Sequence, residues 1–277
     1  MRRIVMLLAL ASLTACKQQP KKSEEPAKPA ALTYEGGDYK DDAAKLAHGK
    51  RLADILDCTG CHGANLQGNN LSDEPKEGPL WAPNISLLIA SYSDAELERL
   101  IRHGEPKDGR EFWFMPVESY QFLSDADLAA IIAYLRSVKP GGEAKPAYSN
   151  NREIQKEVAE GLVGNAKAQI VKYRKDQPVD LGPHYAQGRY IVRTTCTGCH
   201  NNALQGWEHF TPNLDIAGTY SKAELTHLLE TGEGKTKKNL GMMSGIARDS
   251  FSKLTPGERE AVVDYILARA HRPQQAQ

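Results

Sequence analysis

Two copies of one pentapeptide constrain this chain more than anything else in it: Cys58-Thr59-Gly60-Cys61-His62 and Cys196-Thr197-Gly198-Cys199-His200. Cys-x-x-Cys-His is the attachment motif for c-type haem. Two intervening residues let both sulfurs reach adjacent pyrrole edges, and the histidine that follows turns its imidazole beneath the ring. Other uses of paired cysteines fit less well. Zinc sites separate their cysteine pairs by about 15–20 residues, far less than the stretch from Cys61 to Cys196. A thioredoxin-like pair needs a βαβ setting that the sequence lacks. Disulfides within each pair would close tiny loops and leave both histidines unused.

The motifs belong to a longer internal repeat. Residues 58–68 match 196–206, Ala82-Pro83-Asn84-Ile85 matches Thr211-Pro212-Asn213-Leu214, residues 92–97 match 220–225, and 123–135 parallel 254–266, all in the same order. The repeated blocks carry helix signals. Ser93 with Glu96, and Ser221 with Glu224, form capping boxes. Leu97, Leu100 and Ile101, like Leu225, Leu228 and Leu229, recur at helical spacing. Ser124 and Thr255 read as N-caps, the latter followed by Pro256 at the first helical position. No stretch alternates as a strand does.

In this order of helix, attachment motif, loop, helix, methionine loop and terminal helix, the chain resembles a tandem class I cytochrome c. The resemblance implies an all-α protein of two cytochrome c domains, residues 42–140 and 184–277, each a few helices around one covalent haem, with a linker over 141–183 that could itself be helical. It implies two haems, held by Cys58, Cys61 and His62 and by Cys196, Cys199 and His200. It pairs Gly49 with Tyr134 and Gly188 with Tyr265, and it offers the carbonyls of Pro83 and Pro212 to the proximal histidines. Met115, followed by Pro116, and Met243, in Gly241-x-Met243, are the expected distal ligands, with Met242 the rival of Met243. Of the other histidines, His48, His103, His184, His209, His227 and His271 are expected at surfaces or helix ends. His103 is the one that a bis-histidine peroxidase would use. The haem blocks look most like those of the cytochrome c subunits of membrane-bound alcohol dehydrogenases, but the third haem motif and aromatic-rich connector of those subunits are absent from this sequence.

The first residues read as a processing signal. Met1-Arg2-Arg3, an apolar run from Ile4 to Leu10 and Leu13-Thr14-Ala15-Cys16 resemble a bacterial lipoprotein signal over residues 1–15, with Cys16 the lipidated cysteine. Residues 16–41, rich in Lys, Glu, Pro and Ala, are expected to form a flexible tether. No later segment has the 18 or more apolar residues of a membrane span. The expected location is the periplasm, on a lipid anchor, with the outer membrane favoured by Lys17 after the lipidated cysteine.

Charge excludes one class of partner. The 35 Lys and Arg balance 35 Asp and Glu, whereas nucleic-acid binding needs a basic excess. The balance is uneven: residues 42–140 carry a net −5 and residues 184–277 a net +2. Lys235, Lys237 and Lys238 suggest a positive rim near the second haem for an acidic partner. Together these features predict a periplasmic electron carrier that exchanges single electrons with redox proteins and acts on no small-molecule substrate. The alternatives are a dihaem peroxidase, or a fixed electron-transfer subunit of a dehydrogenase complex.

Overall fold

The computed structural model describes residues 32–72, 76–146, 151–160 and 164–272. Residues 1–15, Cys16 and the tether as far as residue 31 lie outside the described residues. In the first lobe the chain forms α1 (Asp42–Ile55), α2 (Cys58–His62), a two-stranded ladder of β1 (Asn69–Asn70) with β2 (Trp81–Ala82), α3 (Ile85–Leu88), α4 (Asp94–His103), α5 (Val117–Tyr120) and α6 (Asp125–Ser137). The linker holds α7 (Arg152–Ala159) and α8 (Ala166–Lys175). The second lobe has α9 (Ala186–Thr195), α10 (Thr197–His200), α11 (Lys222–Thr231), α12 (Met242–Asp249) and α13 (Pro256–Ala270). The all-α architecture expected from the repeat is the architecture found.

Local signals set the helix ends. Ser93 and Ser221 each accept the N–H of the glutamate three residues on, whose carboxylate accepts the serine's own N–H. Gly104 and Gly232, at φ 62° and 76°, end those helices in the left-handed conformation that glycine adopts without strain. In each lobe the first and last helices cross at a glycine. A side chain at Gly49 would run into the Ala130 carbonyl of α6, and one at Gly188 into the Ala261 carbonyl of α13. Gly188 also abuts the Cβ of Tyr265, as expected; Gly49 meets Ala130 and Ile131, with Tyr134 one turn further along.

The repeats do not keep separate cores. Leu52, Ile55 and Ile131 of the first belong to the same buried apolar cluster as Tyr190, Ile191 and Val263 of the second. Residues just before α1, which composition assigns to the tether, join this seam. Tyr34 is fully buried, and its hydroxyl donates to Thr194 at 2.7 Å. Consecutive backbone N–H groups then reach one carboxylate in each lobe: Tyr34 donates to Asp127 at 3.1 Å and Glu35 to Glu258 at 2.8 Å.

The linker is helical and packed. Ala166 and Ile170 of α8 bury against Phe112 and Val117 of the first lobe, while the Tyr173 hydroxyl donates to the Thr197 carbonyl of the second at 3.0 Å. Among the described residues, no helix is long and apolar enough to cross a membrane.

Candidate haem-binding sites

Each attachment motif forms a short helix closed by the same turn. The N–H of Gly68 donates to the His62 carbonyl at 2.8 Å, and that of Gly206 to the His200 carbonyl at 2.9 Å. Leu66 and Leu204, both fully buried, stand at φ 56° and 61°. Side chains rarely adopt that conformation, and here apolar burial holds them in it. The N–H groups of Ser86 and Leu214 then donate to the carbonyls of Leu66 and Leu204 at 3.0 Å, which fixes the proline segment beside the histidine.

That segment orients the imidazole. The Nδ1–H of His62 donates to the Pro83 carbonyl, and that of His200 to the Pro212 carbonyl, each at 2.9 Å. Because a carbonyl only accepts, the proton resides on Nδ1 and leaves Nε2 with a free lone pair, the form that binds a metal. Burial lowers the pKa of both rings, opposed by the carbonyl bond, so both favour the neutral state.

In the first lobe, Cys58, Cys61, His62 and Met115 all line one apolar cavity of about 1400 Å³, counted with its open mouth. Its walls include Ile89, Leu97, Ile131 and Leu135. A large flat apolar group held by two thiols, with an imidazole and a thioether sulfur on the same cavity, would fit this arrangement. His103 does not line the cavity. Nor does the thiol chemistry favour another use. Burial pushes Cys58 and Cys61 up to about 12 and Cys196 to about 11, while reactive redox thiols are driven the other way. Among the described residues, no group of three or more His, Cys, Asp or Glu is arranged to share a metal ion.

In the second lobe, Met243 is half-buried against the core, while Met242 is 64% exposed. Both stand in the first turn of α12, where a loop was expected. Met115 does precede its helix in an irregular segment, with Pro116 as the residue before α5.

Several expectations need correction. His48, placed at a surface by sequence, is 5% exposed, and its Nε2–H donates to Asp127 at 2.8 Å. The lysine rim is largely neutralised: Lys235 pairs with Glu224 at 3.1 Å and Lys238 with Glu233 at 2.7 Å.

The lobes meet at the motifs themselves, which the sequence did not reveal. Ser119, four residues after Met115, lies with its Oγ 2.8 Å from Thr197 Oγ1. Thr197 gives its proton to the Arg193 carbonyl at 2.7 Å, so Ser119 is the donor. On the other side Ser250 donates to Asp57 at 3.3 Å, beside Cys58. Ser119 and Ser250 hold matching positions in the repeat, so the seam has approximate two-fold symmetry.

The family described as cytochrome c matches residues 46–139 and 185–270. The chain is 25% identical over 84% of its length to one of the subunits of nicotinate dehydrogenase from Pseudomonas putida, covering 22% of that protein. It is 23% identical over 83% of its length to the gluconate 2-dehydrogenase cytochrome c subunit of Pantoea cypripedii, covering 60% of it. To the cytochrome c subunit of the quinone alcohol dehydrogenase of Gluconacetobacter polyoxogenes it is 32% identical over 64% of its length, covering 40% of that protein. The chain thus spans between about a fifth and three fifths of these curated relatives.

Proposed function

Since the chain belongs to the cytochrome c family, whose prosthetic group is a covalently held c-type haem, we propose that it is a dihaem carrier passing single electrons between redox proteins. The cofactor supplies an iron that takes up and gives back one electron. The protein does the rest: Cys58 with Cys61 and Cys196 with Cys199 provide the thioether anchors, and His62 and His200 the proximal nitrogens. Met115 and Met243 would each offer the group a thioether sulfur. A thioether donor and an apolar pocket would both favour the reduced state of a haem held here, and would suit it to electron transfer rather than substrate chemistry. The observation that carries this reading is the single cavity shared by Cys58, Cys61, His62 and Met115.

The relatives named as dehydrogenase subunits favour a dehydrogenase as one redox partner. The signal-like residues 1–15 and Cys16 support export to the periplasm and a lipid anchor, in the outer membrane by the residue that follows.

Haem content tests the central claim. Exported protein, denatured, should retain two haems per chain, and the double variant Cys58→Ala, Cys61→Ala should retain one. Zinc in place of iron would overturn the reading. Cys16→Ser should move folded, haem-loaded protein from the membrane to the soluble fraction, and membrane retention without any partner would overturn the anchor.

A further inference from the structure

The two-fold symmetry of the seam is broken where it matters for electrons. On one side, the segment after Met115 packs against the second attachment motif. Ser119 bonds Thr197 at 2.8 Å, both are buried, and a Cβ on Gly198 would lie 3.4 Å from the Cβ of Pro116 and 3.8 Å from Ser119 Oγ. Pro116 is the neighbour of Met115, and Gly198 the neighbour of Cys199. On the matching side, a polar cleft of about 620 Å³, counted with its open mouth, is lined by Thr59 and Gly60 of the first motif and by Asp249 and Ser250. There Thr59 turns back to Asp54 of its own lobe at 2.8 Å, instead of crossing to Ser250. Ser250 reaches Asp57, the neighbour of Cys58, through a 3.3 Å hydrogen bond, so the first contact is packed and the second is a long hydrogen bond beside a cleft.

Tunnelling weakens steeply with gap, and faster through space or water than through packed, bonded atoms. We infer that electrons pass between the lobes at the junction of Pro116 with Gly198, joining the segment that carries Met115 to the motif that carries Cys199. The step moves one electron from the reduced lobe to the oxidised one; no bond forms or breaks, no proton moves, and the total oxidation state is unchanged. This rests on the two-haem reading above. It assigns Pro116, Ser119 and Gly198 as positioning residues for transfer within the chain. A Cβ at Gly198 would itself be in van der Waals contact with Pro116, so the motif backbone and the Pro116 ring pack closely here.

The test uses half-reduced holoprotein, in which exchange between the haems is read from NMR broadening of haem methyl signals. Gly198→Leu, whose side chain must push Pro116 away, should slow exchange severalfold, and Ser119→Ala should slow it less. Ser250→Ala and Asp249→Asn, at the open cleft, should leave it unchanged. Midpoint potentials and optical spectra should be unaltered in Ser119→Ala, Ser250→Ala and Asp249→Asn, and amide hydrogen exchange at Gly198 and Cys199 should report the seam opening. If Gly198→Leu does not accumulate, Ser119→Ala decides the matter against Ser250→Ala. Equal or greater slowing by the cleft variants overturns the assignment. So does an unchanged rate in a variant whose seam has opened. A haem content of one per chain overturns the two-haem reading instead, and is measured first.

Discussion

Asp127 and Glu258 are the same residue of the repeat, the third position of each terminal helix, and both are fully buried at the seam between the lobes. The longer Glu258 reaches back to the Thr255 N–H at 2.9 Å and accepts Arg51 of the other lobe at 2.6 Å. In the first lobe the Tyr190 hydroxyl intervenes: it accepts the Ser124 N–H at 2.9 Å and donates to Asp127 at 2.6 Å. A side chain of the opposite lobe thus completes a helix cap that Asp127 makes no bond to complete itself.

Asp127→Ala should destabilise the protein by about 3–5 kcal/mol, because His48, Tyr190 and the Tyr34 N–H would all lose a buried acceptor at once. Asp127→Asn, which keeps an acceptor oxygen, should cost less. Thermal unfolding of the haem-loaded proteins measures the difference, and near-equal values for the two variants would contradict the account.

The distal ligands separate by spectrum. Met115→Ala should remove sulfur ligation from the first haem only, lower its potential and admit carbon monoxide; Met243→Ala should do the same at the second. Met242→Ala should leave both spectra intact, since that side chain is mostly exposed. Loss of sulfur ligation in Met242→Ala would reverse the assignment of the two neighbours.

Glu118 gives the stability a pH signature. Burial raises its carboxyl to about 7, with its own backbone N–H opposing the shift. The folded form then holds a proton that the unfolded chain releases near the ordinary carboxylate value, so this contribution is full at low pH. It is lost as pH rises towards 7, with a slope of at most about 1.4 kcal/mol per pH unit. Denaturant titrations from about pH 4.5 to 8 should show the slope, and Glu118→Gln should flatten it.

The helix crossings tolerate no side chain. Gly49→Ala and Gly188→Ala should each destabilise by about 1–3 kcal/mol, as overpacking against a facing backbone does. Equilibrium unfolding checks this, and a stabilised Gly188→Ala would show that the helices can separate there without cost.

What the sequence made legible was local. Attachment motifs and capping boxes depend on residues a few positions apart, whereas the proline carbonyls, 21 and 12 residues from their histidines, were legible only through the resemblance. The packing of Tyr34 escaped notice because its composition window is Lys, Glu, Pro and Ala; the signal was the pair of aromatics, Tyr34 and Tyr39, around Gly36-Gly37. His48 misled for a similar reason, since its burial depends on Asp127, distant in the chain. Met243 was expected in a loop by family resemblance, yet Gly241, at φ 66°, begins a helix there. The seam itself has no local signature, as its partners come from opposite repeats.

The matched seam also says something about ancestry and autonomy. An interface whose two halves use corresponding positions is the kind that a symmetric dimer makes. Covalent linkage of two such units removes the dependence of pairing on concentration. It also lets the halves diverge, as the closed junction at Gly198 and the open cleft at Gly60 have done. A single repeat expressed alone would expose Leu52 and Ile131, or Tyr190 and Val263, and with them an uncapped helix or a stranded carboxylate. Each half has become the other's solvent shield.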